Sequence, residues 1–405
     1  MGEKMKNKIL EYFLKYVKMD TMSKEDETTV PSTSKQFNLA KVLVEDLKEL
    51  GLVDIRLTDN CFVYGRLPKN SDSNLKIGFI AHMDTIPGFS GTNVKPNVIY
   101  NYDGENIKLN NITLDTNTFS YLPSLKGKTL ITTDGTTVLG ADDKAGIANI
   151  MGMLWYYVNN PDVKHCEINV SFSPDEEIGG AMDQFDIKGF NSDFAYTVDG
   201  LRFNEIEYEN FNAASAKVEI KGFDIHPGDA KDKMINASRV AMEFDSMLSE
   251  FDRPEHTEGY EGFNHLTDMS GEVGYAKLSY ILRNHDKEKL QSQKNDFINI
   301  KDFLNKKYGN IVTLTITDSY KNMKEKIMKD NRCVTRAIEA IKKLGFNPVS
   351  KPIRGGTDGA RLTELGLNTP NLGTGGYNCH GPYEMACLEE MENVSKILIE
   401  ISKTE

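Results

Sequence analysis

The chain has 405 residues, 27% of them charged, and a formal net charge of -12, so nucleic acid and anionic membrane surfaces, which attract clustered lysine and arginine, are disfavoured partners. No apolar run approaches the roughly 18 residues of a membrane-spanning helix, and the N-terminal segment lacks the apolar core of a secretory signal, which together predict a cytoplasmic protein. Five cysteines, odd in number and without a CxxC pair, argue against a disulfide framework and against a thiolate zinc site.

Helical and strand patterns alternate through the first half of the chain. The predicted elements are amphipathic helices over 10–17, 37–50 and 147–158, and buried strands over 75–81, 168–173 and 194–198. This alternation predicts an α/β fold with a mixed, mostly parallel sheet flanked by helices. In open sheets of this kind, ligands bind beyond the carboxyl ends of the strands.

The pattern changes between residues 210 and 317 to strand, helix, long strand, helix and strand. The predicted elements are 216–220, 234–248, 272–283, 286–306 and 311–316. Because 405 residues exceed what one hydrophobic core usually supports, the change predicts an inserted α+β domain over 210–317. Residues 1–209 and 318–405 would form the other domain, in which helices follow at 334–344 and 388–401 and a turn at 355–359 leads into a further helix.

Imidazole and carboxylate side chains follow short apolar runs at five places. They are His82 with Asp84, Asp142 with Asp143, Glu176 with Glu177, Asp199, and His380. Neutral imidazole and carboxylate are good ligands for Zn²⁺, and a pair of such ions needs a carboxylate that can bridge them. The five segments therefore predict one metal pocket and, with it, an enzyme.

Local spacing suggests different roles within this set. His82 and Asp84 are two residues apart at a strand end, so both can face one side, with His82 as ligand and Asp84 as hydrogen-bond partner of the other ring nitrogen. Glu176 and Glu177 follow Asp175 in a turn where like charges are costly unless a cation offsets them. Adjacent side chains point apart, so one glutamate can bind metal while the other acts as general base.

Ordinary structural interpretations exist for the other three. Asp142 precedes a predicted helix and could be an N-cap, and Asp199 precedes a glycine and could form a turn. His380 could be a loop histidine whose hydrogen bonds are satisfied locally. Only the joint placement of these residues favours the metal pocket.

Seven segments, in order over essentially the whole chain, resemble the peptidase T family. They are residues 81–85, 139–146, 174–179, 196–200, 222–228, 354–360 and 375–381. The family comprises tripeptide aminopeptidases of the dizinc exopeptidase superfamily, and the stretch 254–262 points to it rather than to its relatives. The resemblance implies a zinc exopeptidase catalytic domain with an inserted lid that also forms a homodimer.

The resemblance also implies a metal-binding role for individual residues. It implies two zinc ions per subunit, with His82 and Asp199 on one, Glu177 and His380 on the other, and Asp142 bridging both. Glu176 is then the general base and Asp84 the partner that orients His82. A cis peptide bond is implied between Asp142 and Asp143.

Substrate contacts are implied in the inserted domain and near its end. The resemblance implies that His226, contributed by the partner subunit, stabilises the oxyanion and that Asn236 contacts the substrate. Arg283 and Arg354 are candidates for the substrate carboxylate, because a guanidinium gives bidentate recognition; surface ion pairs are the alternative. A deacylase or dipeptidase on the same scaffold, or a non-catalytic peptide-binding or metal-binding protein, are the competing functions.

Overall fold

The computed structural model describes residues 2–404, which fall into two compact units. The first unit comprises the described residues up to Tyr208, Glu325–Ser350, and the described residues from Thr357 onward. The second comprises Glu209–Lys324 and Lys351–Gly356. Among residues 2–404, no helix is both long enough and apolar enough to cross a bilayer.

The helices and strands are numbered in chain order. The α-helices are α1 (Gly2–Tyr16), α2 (Gln36–Glu49), α3 (Ala141–Asn159), α4 (Ile187–Phe190), α5 (Ala237–Ser246), α6 (Lys287–Tyr308), α7 (Lys324–Ile327), α8 (Arg332–Lys343), α9 (Asp358–Leu365) and α10 (Leu388–Ser402). The strands are β1 (Val53–Leu57), β2 (Val63–Leu67), β3 (Lys76–His82), β4 (Asn97–Ile99), β5 (Ile107–Lys108), β6 (Thr113–Leu114), β7 (Leu130–Thr132), β8 (Glu167–Ser173), β9 (Phe194–Gly200), β10 (Ile206–Glu207), β11 (Asn212–Lys221), β12 (Phe263–Gly271), β13 (Tyr275–Asn284), β14 (Val312–Asp318), β15 (Asn371–Gly373), β16 (Gly376–Tyr377) and β17 (Met385–Cys387).

A seven-stranded mixed sheet with the order β1-β2-β8-β3-β9-β15-β10 forms the centre of the first unit. Strands β8, β3, β9 and β15 run parallel, while β2 and β10 are antiparallel to their neighbours. Helix α3 packs on β3 and β9, and α1 and α10 pack against α3. The predicted α/β fold, with a mixed sheet flanked by helices, is confirmed.

The register of the parallel strands places three of the predicted segments together at the carboxyl-terminal ends of the strands. His82 is the last residue of β3 and pairs with Ser173, the last residue of β8. Asp199 is the penultimate residue of the neighbouring β9. Glu176 and Glu177 lie in the turn that follows β8. Parallel strands that end together therefore bring these side chains to one place.

The other two segments do not follow strands of this mixed sheet. Asp142 is the second residue of α3 and is separated from β7 by a loop. His380 lies in the turn between β16 and β17, which belong to a separate four-stranded sheet of order β16-β17-β7-β4. The start of a helix and a hairpin turn therefore contribute these two side chains. Strand β17, which follows the hairpin turn, pairs with β7, which precedes the loop that leads to α3.

Gly146 allows α3 to approach β9 closely. A Cβ atom at this position would lie 1.9 Å from the carbonyl oxygen of Val198 and 2.3 Å from Oδ1 of Asp143. Any larger residue would collide with that backbone. The glycine therefore lets the first turn of α3, with Asp142, lie beside the end of β9.

The second unit is a four-stranded antiparallel sheet of order β12-β13-β11-β14, covered by α5 and α6. Alternate residues of β11, namely Ala214, Ala216, Val218 and Ile220, are buried in its core. The predicted long strand over 272–283 corresponds to β13 alone, and β12 was missed. Most of β12 from Thr267 onward is exposed and polar at the edge of the sheet, so it lacks the apolar alternation that identifies a strand.

The second unit extends beyond the predicted boundaries 210–317 at both ends. The N–H groups of Asn322 and Met323 donate to the side chains of Asn212 and Asn210, over 3.0 and 2.8 Å. The N–H group of Ile353 donates to the carbonyl oxygen of Glu209 over 2.8 Å. These bonds tie residues 318–324 and 351–356 to the start of β11 rather than to the first unit.

Candidate metal centre

The two predicted histidine ligands face opposite oxygens of the Asp142 carboxylate. His82 Nε2 lies 2.9 Å from Oδ1, and His380 Nε2 lies 3.0 Å from Oδ2. Next to His82, the Asp199 carboxylate approaches Nε2 to 3.4 Å. Next to His380, the Glu177 carboxylate approaches Nε2 to 3.1 Å. The side chains thus form two donor groups that share Asp142.

The donor chemistry fits a pair of divalent cations. Each group offers one imidazole nitrogen and carboxylate oxygens, which are ordinary ligands of Zn²⁺, and the shared carboxylate has the position that a two-metal site requires. Donor atoms of His82, Asp142 and Glu177 all lie within 4.8 Å of one another. A second combination within the same limit is His82, Asp143 and Asp199. The first unit therefore contains a cluster that can hold metal.

Asp84 links the end of β3 to the turn after β8. Nδ1 of His82 lies 3.3 Å from the Asp84 carboxylate and 3.1 Å from its carbonyl oxygen. The same carboxylate accepts the N–H groups of Glu176 and Glu177 over 3.0 and 3.2 Å. A proton on Nδ1 leaves the Nε2 lone pair free to bind a cation, so Asp84 lies where the sequence predicted the orienting partner.

The sequence analysis gave Asp143 no role of its own, yet its buried carboxylate holds the backbone of a predicted ligand. Oδ2 accepts the N–H group of His82 over 3.2 Å, and Oδ1 accepts that of Gly146 over 3.1 Å. The peptide bond between Asp142 and Asp143 is cis, as the family resemblance implied. The two aspartates therefore differ in function, since one faces the histidines and the other binds main chain.

The turn that carries Glu176 and Glu177 is held by the N-terminal part of the chain. Asp175 is buried and adopts a φ of 54°, in the left-handed region that most residues avoid. Its carboxylate accepts the N–H group of Ser32 and the side-chain amide of Gln36, each over 2.6 Å. These bonds fix the turn against α2.

Burial and the hydrogen bonds between histidines and carboxylates shift the pKa values of the residues in this cluster. Burial opposes ionisation of Asp142, but hydrogen bonds from His380 and His82 outweigh it and hold the pKa of Asp142 below its ordinary value. Hydrogen bonds with Asp142 and Glu177 raise the pKa of His380 to about 10. Burial would lower the pKa of His82, yet Asp199 and Asp142 raise it well above the ordinary value. Burial raises the pKa of Asp199 to about 7.

Two further acids, Glu176 and Asp358, also have pKa values that are raised by burial and by the charge of Asp199. Burial first, and then the charge of Asp199, raise the pKa of the half-buried Glu176 well above its ordinary value. Asp358, at the start of α9, accepts the hydroxyl of Ser173 over 3.1 Å, and burial raises its pKa to about 7. The sequence analysis missed Asp358, although it lies within the segment 354–360 that resembles the family.

The second unit contains four of the residues that were predicted to contact substrate. His226 is exposed, and its Nδ1 accepts the N–H group of Gly228 over 3.1 Å. Asn236 is the N-cap of α5, where its side chain accepts the N–H group of Arg239 over 3.2 Å. Local capping therefore accounts for both side chains structurally, since His226 is the N-cap of the short 3-10 turn Pro227–Asp229 and Asn236 is the N-cap of α5.

The two arginines of this set donate to main-chain carbonyl groups. Arg283 donates to the carbonyl oxygens of Ala214 and Leu282 over 3.2 and 3.0 Å. Arg354 donates to carbonyl oxygens of the loop 257–261 over distances from 2.7 to 3.3 Å. Both guanidinium groups therefore hold backbone in the second unit.

Comparison with known proteins finds relatives over nearly the full length. The peptidase T of Clostridium perfringens is 53% identical over 399 residues, and that of Alkaliphilus oremlandii is 51% identical over 404, with 98% of each chain covered in both cases. Residues 208–311 match the family described as the peptidase dimerisation domain. The solved structure of an aminopeptidase PepT from Bacillus cereus covers 98% of both chains at 20% identity, with a TM-score of 0.78. A dinuclear metal-binding peptidase of the M20 family from Bacillus subtilis also covers 98% of both, at 14% identity and a TM-score of 0.67.

Proposed function

We propose that this chain, which belongs to the peptidase T family of metal-dependent peptide hydrolases, releases the N-terminal residue of short peptides, preferentially tripeptides, at a centre of two zinc ions. The observation that carries this proposal is the Asp142 carboxylate, whose two oxygens each face the Nε2 atom of a different histidine. One ion would be held by His82 and Asp199, the other by His380 and Glu177, and both by Asp142. When bound, the ions would polarise the scissile carbonyl group and lower the pKa of a water molecule.

Glu176 is the proposed general base. Its carboxylate would take a proton from the water that attacks the first peptide carbonyl and would return that proton to the leaving amine. Its raised pKa suits a group that must both accept and return a proton. Asp84 would keep the Nδ1 proton of His82 in place, so that Nε2 points toward the cluster throughout.

Residues of the second unit are proposed to recognise the peptide. His226, as a residue of the partner subunit, would donate a hydrogen bond to the developing oxyanion, and Asn236 would contact the peptide. Arg283 and Arg354 are the candidates for binding the peptide carboxylate. In that role each would give up hydrogen bonds to main-chain carbonyl oxygens and form hydrogen bonds to the carboxylate instead. Recognition of the amine at one end and the carboxylate at the other would select peptides by length.

A peptide assay tests the proposal directly. We expect hydrolysis of tri-alanine that stops when a chelator removes the metal and returns with added zinc, and lower rates on the di- and tetrapeptides. The N-acetylated tripeptide should resist cleavage, because the proposed reaction needs a free amine. Cleavage of the acetylated peptide would instead favour a deacylase, a preference for dipeptides a dipeptidase, and no hydrolysis at all a binding protein.

Zinc binding should release protons. In the metal-free protein the pKa values of His82 and His380 are raised, so at neutral pH both imidazoles carry protons that must leave before zinc can bind. Zinc affinity should therefore increase with pH between about pH 6 and pH 9. Calorimetric titrations in buffers with different ionisation enthalpies should show at least about one proton released per zinc ion; a pH-independent affinity would mean that these histidines do not bind the metal.

Mixed dimers should test the proposed position of His226. The match of residues 208–311 to a peptidase dimerisation domain supports a homodimer. If the partner subunit supplies His226, then the inactive variants His226→Ala and Glu176→Ala should regain activity when mixed, because every mixed dimer contains one intact site and one doubly defective site. The absence of rescue, in dimers shown by mass spectrometry to exchange subunits, would place His226 in its own subunit's site.

A further inference from the structure

Glu384 is a buried carboxylate that the proposed mechanism does not use. It is 1% exposed and lies between the His380 turn and β17. Its Oε2 atom accepts the N–H groups of Leu139 and Gly140 over 2.7 and 2.8 Å. Its Oε1 atom accepts the N–H group of Asp142 over 3.0 Å. One side chain thus satisfies three main-chain donors in the segment that carries Asp142.

One of these donors, the N–H group of Asp142, lies in the first turn of α3, and the other two belong to Leu139 and Gly140 just before the helix. The first N–H groups of a helix have no partner within the helix, and polar side chains at the N-cap position normally accept them. Here the N-cap is Gly140, which has no side chain and adopts a φ of 78°. A carboxylate is also the favourable charge at a helix N-terminus. Glu384 therefore supplies from a distant segment the cap that Gly140 lacks.

The hydrogen bonds of Glu384 join the turn that carries His380 to the segment that carries Asp142. The distance between these two segments sets the geometry of the donor group around His380. Glu384 lies in the same connection between β16 and β17 as His380, and it binds the main chain of Asp142 directly. The 3.0 Å approach of His380 Nε2 to the Asp142 carboxylate links the same two segments through their side chains. Movement of either segment relative to the other would break both connections.

We propose that Glu384 is a positioning residue for the metal pair: by capping α3 from the His380 turn, it fixes His380 relative to Asp142 and so sets the affinity for zinc. The proposal rests on the function proposed above. Glu384 touches neither the reacting atoms nor the donor atoms of the cluster. Its effect on the metal is transmitted through the main chain of the ligands, as outer partners of metal ligands commonly act.

The substitution Glu384→Gln tests this role with little change in volume. A glutamine retains one acceptor oxygen but presents an NH₂ group to main-chain donors, either to Asp142 or to the pair Leu139 and Gly140. Part of the cap is therefore lost. We expect zinc affinity to fall by roughly 10- to 100-fold, measured by competition with a chromophoric chelator on the full chain, together with the unfolding temperature of the metal-free protein.

Asp46→Asn is the matched control. Asp46 is a buried carboxylate that pairs with Lys15 and Tyr16, so its neutralisation should change the unfolding temperature but leave zinc affinity at the parental value. If Glu384→Gln does not fold, Glu384→Asp retains the charge on a shorter side chain that cannot reach all three donors. That variant should also lose zinc affinity, by a smaller factor.

The outcomes separate this inference from the proposed function. Parental zinc affinity in a folded Glu384→Gln protein, even one that unfolds at a lower temperature, would overturn the positioning role and leave Glu384 as a structural cap only. If the parent protein itself binds no pair of zinc ions, the proposed function fails. Weaker zinc binding in the Glu384 variant, with parental binding in Asp46→Asn, supports the inference.

Discussion

Replacing Glu176 by alanine should lower kcat for tri-alanine by about 10³-fold, the contribution typical of a general acid–base residue, while zinc content stays close to that of the parent. The carboxylate of Glu176 belongs to neither of the two donor groups around Asp142, so its loss should leave the metal ligands complete. Its main-chain N–H group, which donates to Asp84, is retained in the variant. Steady-state kinetics and zinc analysis of the same preparation measure both effects.

Glu45→Ala is the control for Glu176→Ala. Glu45 is an exposed residue of α2 whose side chain bonds to Lys48, so kcat and zinc content should both remain at the parental level. If Glu176→Ala retains the parental kcat, another group must accept the proton of the attacking water. If Glu176→Ala instead loses its zinc, then Glu176 is a ligand and not the base.

Replacing Asp142 by alanine should remove the metal and the activity together. Its carboxylate is common to both donor groups, so each group would be reduced to one histidine and one carboxylate. We expect zinc affinity to fall by more than the roughly 100-fold that follows loss of an outer-shell partner, with no measurable hydrolysis at micromolar zinc. The chelator competition used for Glu384 measures this loss.

Asp143→Asn, at the neighbouring position, is the comparison variant for Asp142→Ala. The Asp143 carboxylate binds the N–H groups of His82 and Gly146, and an asparagine can still accept one of these bonds. We therefore expect a lower unfolding temperature and a smaller loss of zinc affinity than in Asp142→Ala. The opposite ranking, with zinc lost from the Asp143 variant and retained without Asp142, would transfer the bridging role to Asp143.

The fold was largely predictable because its central elements have strong local signals. The continuous apolar runs at 75–81, 168–173 and 194–198 correspond to the buried parallel strands β3, β8 and β9, and the apolar stripe over 147–158 corresponds to α3. These patterns survive in the structure because a sheet covered on both faces requires apolar residues at nearly every strand position. Strand β12 was missed for the converse reason, since an exposed edge strand needs no such pattern.

The sequence predicted the metal-binding side chains of the candidate site and the supporting residue Asp84, but not the other side chains that hold the ligands in place. The segments that carry these metal-binding side chains could be identified because imidazoles and carboxylates are ordinary ligands of zinc, and the family resemblance then implied the five ligands His82, Asp142, Glu177, Asp199 and His380, whose side chains converge in the structure. The anchoring carboxylates could not be identified, since a glutamate that caps a helix more than two hundred residues away has no local sequence signature. The same limitation applies to Arg354, whose carbonyl partners are set by the conformation of a loop.

Anomalous X-ray scattering at the zinc absorption edge, from crystals of the zinc-loaded protein, tests the two-metal centre most directly. We expect two peaks of comparable height, one beside His82 and Asp199 and the other beside His380 and Glu177, with the carboxylate of Asp142 between them. A single peak, or peaks that do not contact Asp142, would contradict a centre in which two ions share that aspartate.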